Sequence, residues 1–178
     1  MKYLLILITL SIFQQQAMQG IDSKDKSITI TLDELTTQEI SERIWDNKEL
    51  NQLTIQKTKS ITKWSTYPPL SWYETVKFVP PYWVLSSKIS RLKNLKSLVL
   101  VDLDIQTLPD AITELQQLEE LYLSFNKLEV SDELWKFKEL KNLKRLVLYG
   151  NHYDLKEMQN YQRLFPELLI EYKSQDNQ

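Results

Sequence analysis

Residues 115–128 read LQQLEELYLSFNKL, a stretch in which leucine and asparagine occupy fixed positions. As a pattern it is Leu-x-x-Leu-x-x-Leu-x-Leu-x-x-Asn-x-Leu, with the asparagine at Asn126. The same apolar spacing occurs 23 residues earlier, starting at Leu92, and 25 residues later, starting at Leu140. Recurrence at a nearly constant period is typical of repeat proteins, so the chain is predicted to stack copies of one unit.

Degenerate copies extend the pattern toward both ends of the chain. Apolar residues recur at the third leucine position with spacings of 22 to 25 residues: Ile30, Leu53, Val76, Leu98, Leu121, Leu146 and Leu168. The array resembles the leucine-rich repeat (LRR) family, and the resemblance covers about residues 27 to 172. It implies an α/β fold, an LRR solenoid or horseshoe with a parallel concave sheet and short helices or turns on the convex side.

The spacing has a physical reason. In an extended strand the two leucines of Leu-x-Leu lie on one face, so they point into the core and the residue between them faces outward. On the return path, Pro109 and the acids near it suit the start of a short helix. Asn126 and Asn151, placed after their strands, can bond backbone groups of the turns. Leu103 has the equivalent position one unit earlier, and its turn must be satisfied in another way.

The chain divides into four predicted segments. Residues 1–20 have the layout of a signal peptide, with a lysine, an apolar run and a polar end containing small residues. Residues 21–49 are expected to form an N-terminal cap strand and helix, in which residues 36–39 offer a capping box. Residues 50–172 hold about five leucine-rich repeats, the last degenerate, and residues 173–178 form a polar tail.

The N-terminal run and the absence of cysteine favour an exported protein. The run is too short for a bilayer, which needs roughly 20 apolar residues, although an uncleaved anchor or a buried first helix are alternatives. With no cysteine, disulfides and thiolate metal sites are excluded, which fits a bacterial envelope better than an animal extracellular space. We therefore expect a bacterial, periplasmic or secreted protein with no membrane span in the mature chain.

Residues 62–83 are the least regular part of the array. They contain three tryptophans and two proline pairs, and proline cannot serve in a central strand. This segment either bulges outward as a loop that contacts something or uses its aromatic residues to fill a core with few leucines. The packing interpretation is favoured, because aromatic residues in degenerate repeats usually replace missing leucines.

The sequence offers little catalytic chemistry. Its single histidine, His152, cannot make a multi-histidine metal site, and its two glycines are too few for phosphate-cradling loops. Acid pairs such as Asp102 with Asp104 lack the ligand-dense spacing of a calcium loop. We therefore expect a non-enzymatic protein with no cofactor and no metal.

Nucleic acid is a disfavoured partner. The net charge is −2, and the lysines are interleaved with acids. A basic patch between Lys136 and Arg145 is possible, but a solvated flank of the solenoid explains this cluster equally well and is favoured.

The outward residues of the strands are the candidate binding surface. One predicted column contains Thr54, Lys77, Val99, Tyr122, Val147 and Leu169, and the next contains Gln56, Val79, Val101, Ser124, Tyr149 and Glu171. The predicted partner-binding residues are Val99, Val101, Tyr122, Ser124, Phe125, Val147 and Tyr149, an apolar set of the kind that marks interaction sites. The resemblance implies a protein or peptide ligand on the concave face of a monomer. Glycan or cell-wall binding and a self-assembling envelope protein are the alternatives.

Overall fold

A computed structural model of the chain describes residues 26–32, 40, 42–57 and 83–172. Six strands in these residues form one parallel sheet: β1 (Ser27–Leu32), β2 (Gln52–Lys57), β3 (Ser97–Val101), β4 (Glu120–Tyr122), β5 (Arg145–Val147) and β6 (Leu169–Glu171). The strands are hydrogen-bonded in chain order. The predicted LRR solenoid with a parallel sheet is therefore confirmed.

The core lies on the inner face of the sheet. Leu98, Leu121 and Leu146 are register partners on β3, β4 and β5, and each is fully buried. The second leucine of each Leu-x-Leu is also fully buried, as alternation along an extended strand requires. Each unit thus contributes two leucines from its strand to a column that continues through the next unit, so the sheet and the core extend together.

Short helices complete the return path of each unit. The helices are α1 (Glu42–Trp45), α2 (Val130–Glu139) and α3 (Leu155–Leu164), and two 3-10 helices span Ser87–Arg91 and Asp110–Glu114. Pro109 lies directly before the second 3-10 helix with φ −65°, so the predicted short helix is confirmed there. Asp154 caps α3 by accepting a hydrogen bond from the Glu157 amide at 2.8 Å. The side chains of Ile44 and Trp45 are buried, as predicted for the cap helix.

Several predicted segments lie outside the described residues: the signal peptide at 1–20, the capping box at 36–39 and the tail at 173–178. In the part of the chain that is described, no helix has the length and apolar character needed to cross a membrane.

The strand register differs from the predicted one at both ends of the sheet. Leu53 pairs with Ile28 rather than with Ile30, and Leu146 pairs with Ile170 rather than with Leu168. Side chains alternate along a strand, so a shift by two residues keeps the same residues facing inward. The apolar pattern alone cannot distinguish two registers that differ by two.

Among the described strands none lies between β2 and β3, where the sequence predicts a unit around Val76. β2 pairs directly with β3, and Leu53 is the register partner of Leu98. The predicted repeat from Leu70 to Phe78, like the whole irregular segment at 62–82, falls outside the described residues. Lys77 and Val79, which the sequence places in the outward columns, also lie outside the described residues.

Asparagine side chains connect the turns of neighbouring units. Asn126 Oδ1 accepts from the amides of Leu103 (3.1 Å) and Ile105 (3.2 Å), and its Nδ2 donates to the Leu100 carbonyl (2.8 Å). Asn151 likewise accepts from the Leu128 amide at 3.1 Å. The turn at Leu103, which lacks its own asparagine, is therefore satisfied by the asparagine of the next unit.

A buried ion pair between Glu133 and Lys136 connects α2 to the preceding unit. The Lys136 ammonium lies 3.0 Å from Glu133 Oε2 and donates to the Leu108 carbonyl at 2.5 Å. Glu133 Oε1 accepts from the Thr107 hydroxyl at 2.9 Å, and Glu133 and Lys136 are both buried. The lysine that was assigned to a solvated flank or a basic patch is thus an internal structural residue. A buried charge is tolerated here because it is paired and hydrogen-bonded.

We expect Asn126→Ala to lower the free energy of unfolding by about 3 kcal/mol or more, because several buried backbone groups lose their partner at once. Urea unfolding measures this change. The matched control is Asn142→Ala, since the Asn142 amide is exposed and bonds the Gln116 carbonyl at 2.7 Å. Equal losses in the two variants would contradict a special role for Asn126.

Lys136→Met should cost about 3 to 5 kcal/mol of unfolding free energy, because it leaves a buried carboxylate without its cation. The double variant Glu133→Leu/Lys136→Met should recover much of this loss, but not all, since Thr107 and Leu108 lose bonds as well. A double-mutant cycle in urea measures both effects, with the exposed Lys138→Met as control. The buried pair is not important for stability if Lys136→Met and Lys138→Met behave alike.

Candidate functional site

The outward face of the sheet is organised in three columns set by the strand register. The first contains Ser27, Gln52, Ser97, Glu120, Arg145 and Leu169. The second contains Thr29, Thr54, Val99, Tyr122, Val147 and Glu171. The third begins with Thr31, Gln56 and Val101. Ser124 and Tyr149 follow Tyr122 and Val147 by two residues, so they continue the third column.

The predicted binding residues share this face but differ in exposure. Tyr122 and Tyr149 are partly exposed, as are Val99 and Val101. Val147 and Ser124 are buried, with 6% and 8% exposure. Tyr122, Tyr149 and Glu171 are neighbours of Val147 on the outward face. Larger side chains therefore surround Val147 and limit what it offers to a partner.

The second column ends in a charged residue rather than an apolar one. Val147 pairs with Glu171, whereas Leu169 pairs with Arg145 and belongs to the first column. This correction follows from the shift by two residues at the last strand. It places an acid beside the tyrosines and makes this end of the face more polar than predicted.

Arg145, Glu171 and Tyr149 form a hydrogen-bonded cluster across β5 and β6. Glu171 Oε1 accepts from Arg145 Nε at 2.8 Å and lies 2.7 Å from Arg145 Nη2. Glu171 Oε2 accepts from the Tyr149 hydroxyl at 3.0 Å. Both carboxylate oxygens are thus used, and the three side chains hold one another in place.

Tyr122 is held in place by Arg145, which belongs to this cluster, and by Glu120. The Arg145 guanidinium lies over the Tyr122 ring, 5.4 Å from the ring centroid. The Tyr122 hydroxyl donates to Glu120 Oε2 at 3.3 Å, and the Ser97 hydroxyl donates to the same oxygen at 3.5 Å. A continuous polar chain therefore runs across β3, β4, β5 and β6.

The pKa values of Tyr122, Tyr149 and Arg145 are all shifted upward. Burial raises the pKa of Tyr122, and the negative charge of Glu120 raises it further. The hydrogen bond to Glu171 raises the pKa of Tyr149, and the same carboxylate raises the pKa of Arg145. Both tyrosines accordingly remain neutral donors, and the guanidinium remains charged.

Phe125 is the most exposed of the predicted binding residues, at 55%. It has φ 57°, as does Asp102 at the equivalent turn, and Gly150 follows with φ 70°. A Cβ added at Gly150 would lie 2.7 Å from Phe125 Cδ1, so the ring lies directly against the glycine. The left-handed backbone and the missing side chain at Gly150 together present the phenylalanine at the rim of the face.

Sequence reasoning missed Glu120 and Arg145 as residues of this face. Both occupy the position two before the residue between the leucines, which also faces outward in a strand. The sequence groups Arg145 with Lys136 in a basic cluster, but Arg145 lies on the sheet face while Lys136 lies on the buried side of α2. These two residues do not form one surface.

The described residues present hydrogen-bonding and aromatic groups rather than a metal centre. Within ranges 26–32, 42–57 and 83–172, no three His, Cys, Asp or Glu side chains are grouped to hold a metal ion. His152 is exposed, and its backbone bonds Leu128 and Val130.

Comparisons with known proteins agree with the repeat pattern. No family model matches the chain. It is 36% identical over 69 residues to the human volume-regulated anion channel subunit LRRC8B, a match that covers 39% of this chain and 9% of the channel subunit. This local match supports the LRR family without covering most of either protein.

Similar solved structures are bacterial LRR proteins. An LRR protein of Leptospira interrogans is 25% identical with a TM-score of 0.48, and the match covers 75% of this chain and 34% of that one. Internalin InlF of Listeria monocytogenes is 18% identical with a TM-score of 0.49, covering 75% and 31%. Internalin C2 of the same species is 18% identical with a TM-score of 0.47, covering 81% and 51%.

This chain spans about a third to a half of these solved proteins and a smaller share of the channel subunit. The assignment of its fold consequently depends on its own geometry. The parallel ladder in chain order, the buried leucine columns and the asparagine-bridged turns give this chain the leucine-rich repeat fold.

Proposed function

We propose that the chain is a non-enzymatic binding module that holds a protein or peptide ligand against the outward, concave face of its sheet. LRR folds are typical of protein-interaction modules. The observation that carries the proposal is the fixed cluster on β4, β5 and β6, where Tyr122, Arg145, Tyr149 and Glu171 are linked by direct contacts. Exposed Phe125 extends this surface at its rim.

Preorganisation of the cluster supports this function. Because the side chains already hold one another, a partner that contacts them causes little further loss of conformational entropy. Tyrosine and arginine are also the residue types that most often supply binding energy at protein interfaces. A rigid group of this composition on an outward sheet face suits recognition better than catalysis.

The contact between Arg145 and Tyr122 favours a protein ligand over a glycan. Sugars commonly stack on an open aromatic face, but the guanidinium already lies over one face of the Tyr122 ring. The partly exposed Tyr149 hydroxyl and the Arg145–Glu171 pair can instead exchange hydrogen bonds with a polypeptide.

The same proposal includes a monomeric, exported protein of bacterial origin, either periplasmic or secreted. Its support is the signal-like sequence of residues 1–20 and the lack of cysteine in the chain.

Tyr122→Ala/Tyr149→Ala is expected to weaken ligand binding at least roughly 100-fold, because it removes two contact residues and releases Arg145 and Glu171. Unfolding free energy should fall by about 1 to 3 kcal/mol, since the tyrosines surround buried Val147. Pull-down from envelope and extracellular fractions, followed by affinity measurement on the captured protein, tests the change. Glycans on the same resin test the alternative ligand.

The matched control is Trp135→Ala, which removes a half-exposed aromatic residue from α2. Trp135→Ala should retain the same captured protein. Undiminished capture by the folded tyrosine double variant would rule out the concave face as the binding surface.

Phe125→Gly should leave the unfolding free energy within about 1 kcal/mol of wild type. Relief of the left-handed backbone penalty offsets the greater flexibility of glycine in the unfolded chain. Ligand affinity should fall about tenfold, because an exposed aromatic contact is lost. Thermal unfolding measures the change in stability, and titration with the captured protein measures the change in affinity. A large loss of stability would show that Phe125 has a structural role.

A further inference from the structure

Glu120 stands opposite Arg145 on the sheet face but does not pair with it. The two residues are direct register partners on β4 and β5, a placement in which opposite charges normally attract. The guanidinium instead bonds Glu171, with Arg145 Nη2 2.7 Å from Glu171 Oε1. Arg145 is thereby held by the acid at the diagonal position.

The hydrogen bonds of the Glu120 carboxylate come from neutral groups. Its Oε2 accepts from the Tyr122 hydroxyl at 3.3 Å and from the Ser97 hydroxyl at 3.5 Å. Across the described residues, Glu120 takes part in no ion pair. The adjacent Glu119 differs, because Lys144 lies 2.5 Å and Lys96 lies 3.6 Å from its carboxylate.

Among the residues that the structure describes, no further cation lies beside Glu120 on the sheet face. On β1, β2 and β3 the outward residues of the described columns are uncharged: Ser27, Thr29, Thr31, Gln52, Thr54, Gln56, Ser97, Val99 and Val101. On β4, β5 and β6, two acids accompany one arginine. The described part of the face therefore has one excess negative charge, and because Arg145 pairs with Glu171, the acid without an ion pair is Glu120.

We propose that Glu120 anchors a basic side chain, lysine or arginine, of the polypeptide that binds this face. The assignment rests on the proposed concave-face function and specifies the chemistry of the ligand. A cation would contact the carboxylate between Ser97 and Tyr122, while its aliphatic stem would lie along Val99 and the Tyr122 ring. Such a pair is half-buried, so it contributes to specificity as well as to attraction.

The test is selection from a phage-displayed library of random peptides on the purified full chain. Parallel selections use Tyr122→Ala/Tyr149→Ala and Glu120→Gln. Glutamine retains an oxygen that can accept from Ser97 and Tyr122 while removing the charge. The matched control is Glu119→Gln, which removes the same charge at the neighbouring residue, where it is already paired.

Peptides that bind wild type and are lost from the tyrosine double variant should be enriched in lysine or arginine. For the tightest such peptide, Glu120→Gln should weaken binding about fivefold at low salt and reduce its salt dependence. Glu119→Gln should stay within about twofold of wild type. Fluorescence anisotropy at two salt concentrations measures these changes.

Two results separate this inference from the proposed function. Peptides that need both tyrosines but show no basic enrichment would overturn the role of Glu120 and leave the concave face as the binding surface. Peptides that bind the double variant as well as wild type would contradict the concave face itself. Failure to select any peptide would count against both.

Discussion

Hydrogen bonding of buried backbone at the end of each strand is the constraint on which the solenoid depends. Where the chain leaves the sheet its amides and carbonyls are out of reach of water, so each needs a partner. Asn126 supplies that partner for the preceding unit as well as its own, through Leu103 and Leu123. Because the bonds cross between units, the leucine columns cannot pack in register unless the turns are also satisfied.

The sheet face carries an uneven distribution of charge. Hydroxyl, amide and aliphatic side chains occupy the described positions of β1, β2 and β3, whereas Glu120, Arg145 and Glu171 occupy β4, β5 and β6. A partner would therefore meet neutral groups at one end and ionised groups at the other. If the face binds an extended ligand as proposed, this asymmetry would define the ligand's direction across the strands, since placing like charges together costs binding free energy.

The leucine period was sufficient to predict the fold because it identifies the residues that are buried in the described units. The positions of Asn126 and Asn151 were sufficient to predict that asparagines bond the turns. Register at the terminal strands was not predictable, since Ile28 and Ile30 face the same side of β1 and satisfy the same pattern. Burial of Lys136 also escaped prediction. The amphipathic pattern of α2 does not reveal that the Glu133 carboxylate and the Leu108 carbonyl are buried where they can bond Lys136.

The residues of the outward sheet face were predictable in part for a similar reason. Alternation places Tyr122 and Tyr149 outward, and the structure agrees. Alternation along one strand does not show that larger side chains surround Val147, because these side chains come from adjacent strands. Nor can it choose which acid Arg145 bonds, since Glu120 and Glu171 lie on opposite sides of it and only the geometry of the cluster decides.

The direct pairing of β2 with β3 has a consequence for how the protein tolerates change in length. Leu53 and Leu98 are 45 residues apart in the chain, whereas Leu98 and Leu121 are 23 apart, yet both pairs are neighbours in the sheet. Doubling the length of a connecting loop costs only about 0.6 kcal/mol in closure entropy. By this estimate a longer connection between two neighbouring strands costs little free energy, so the ladder constrains strand register more tightly than the chain length between strands.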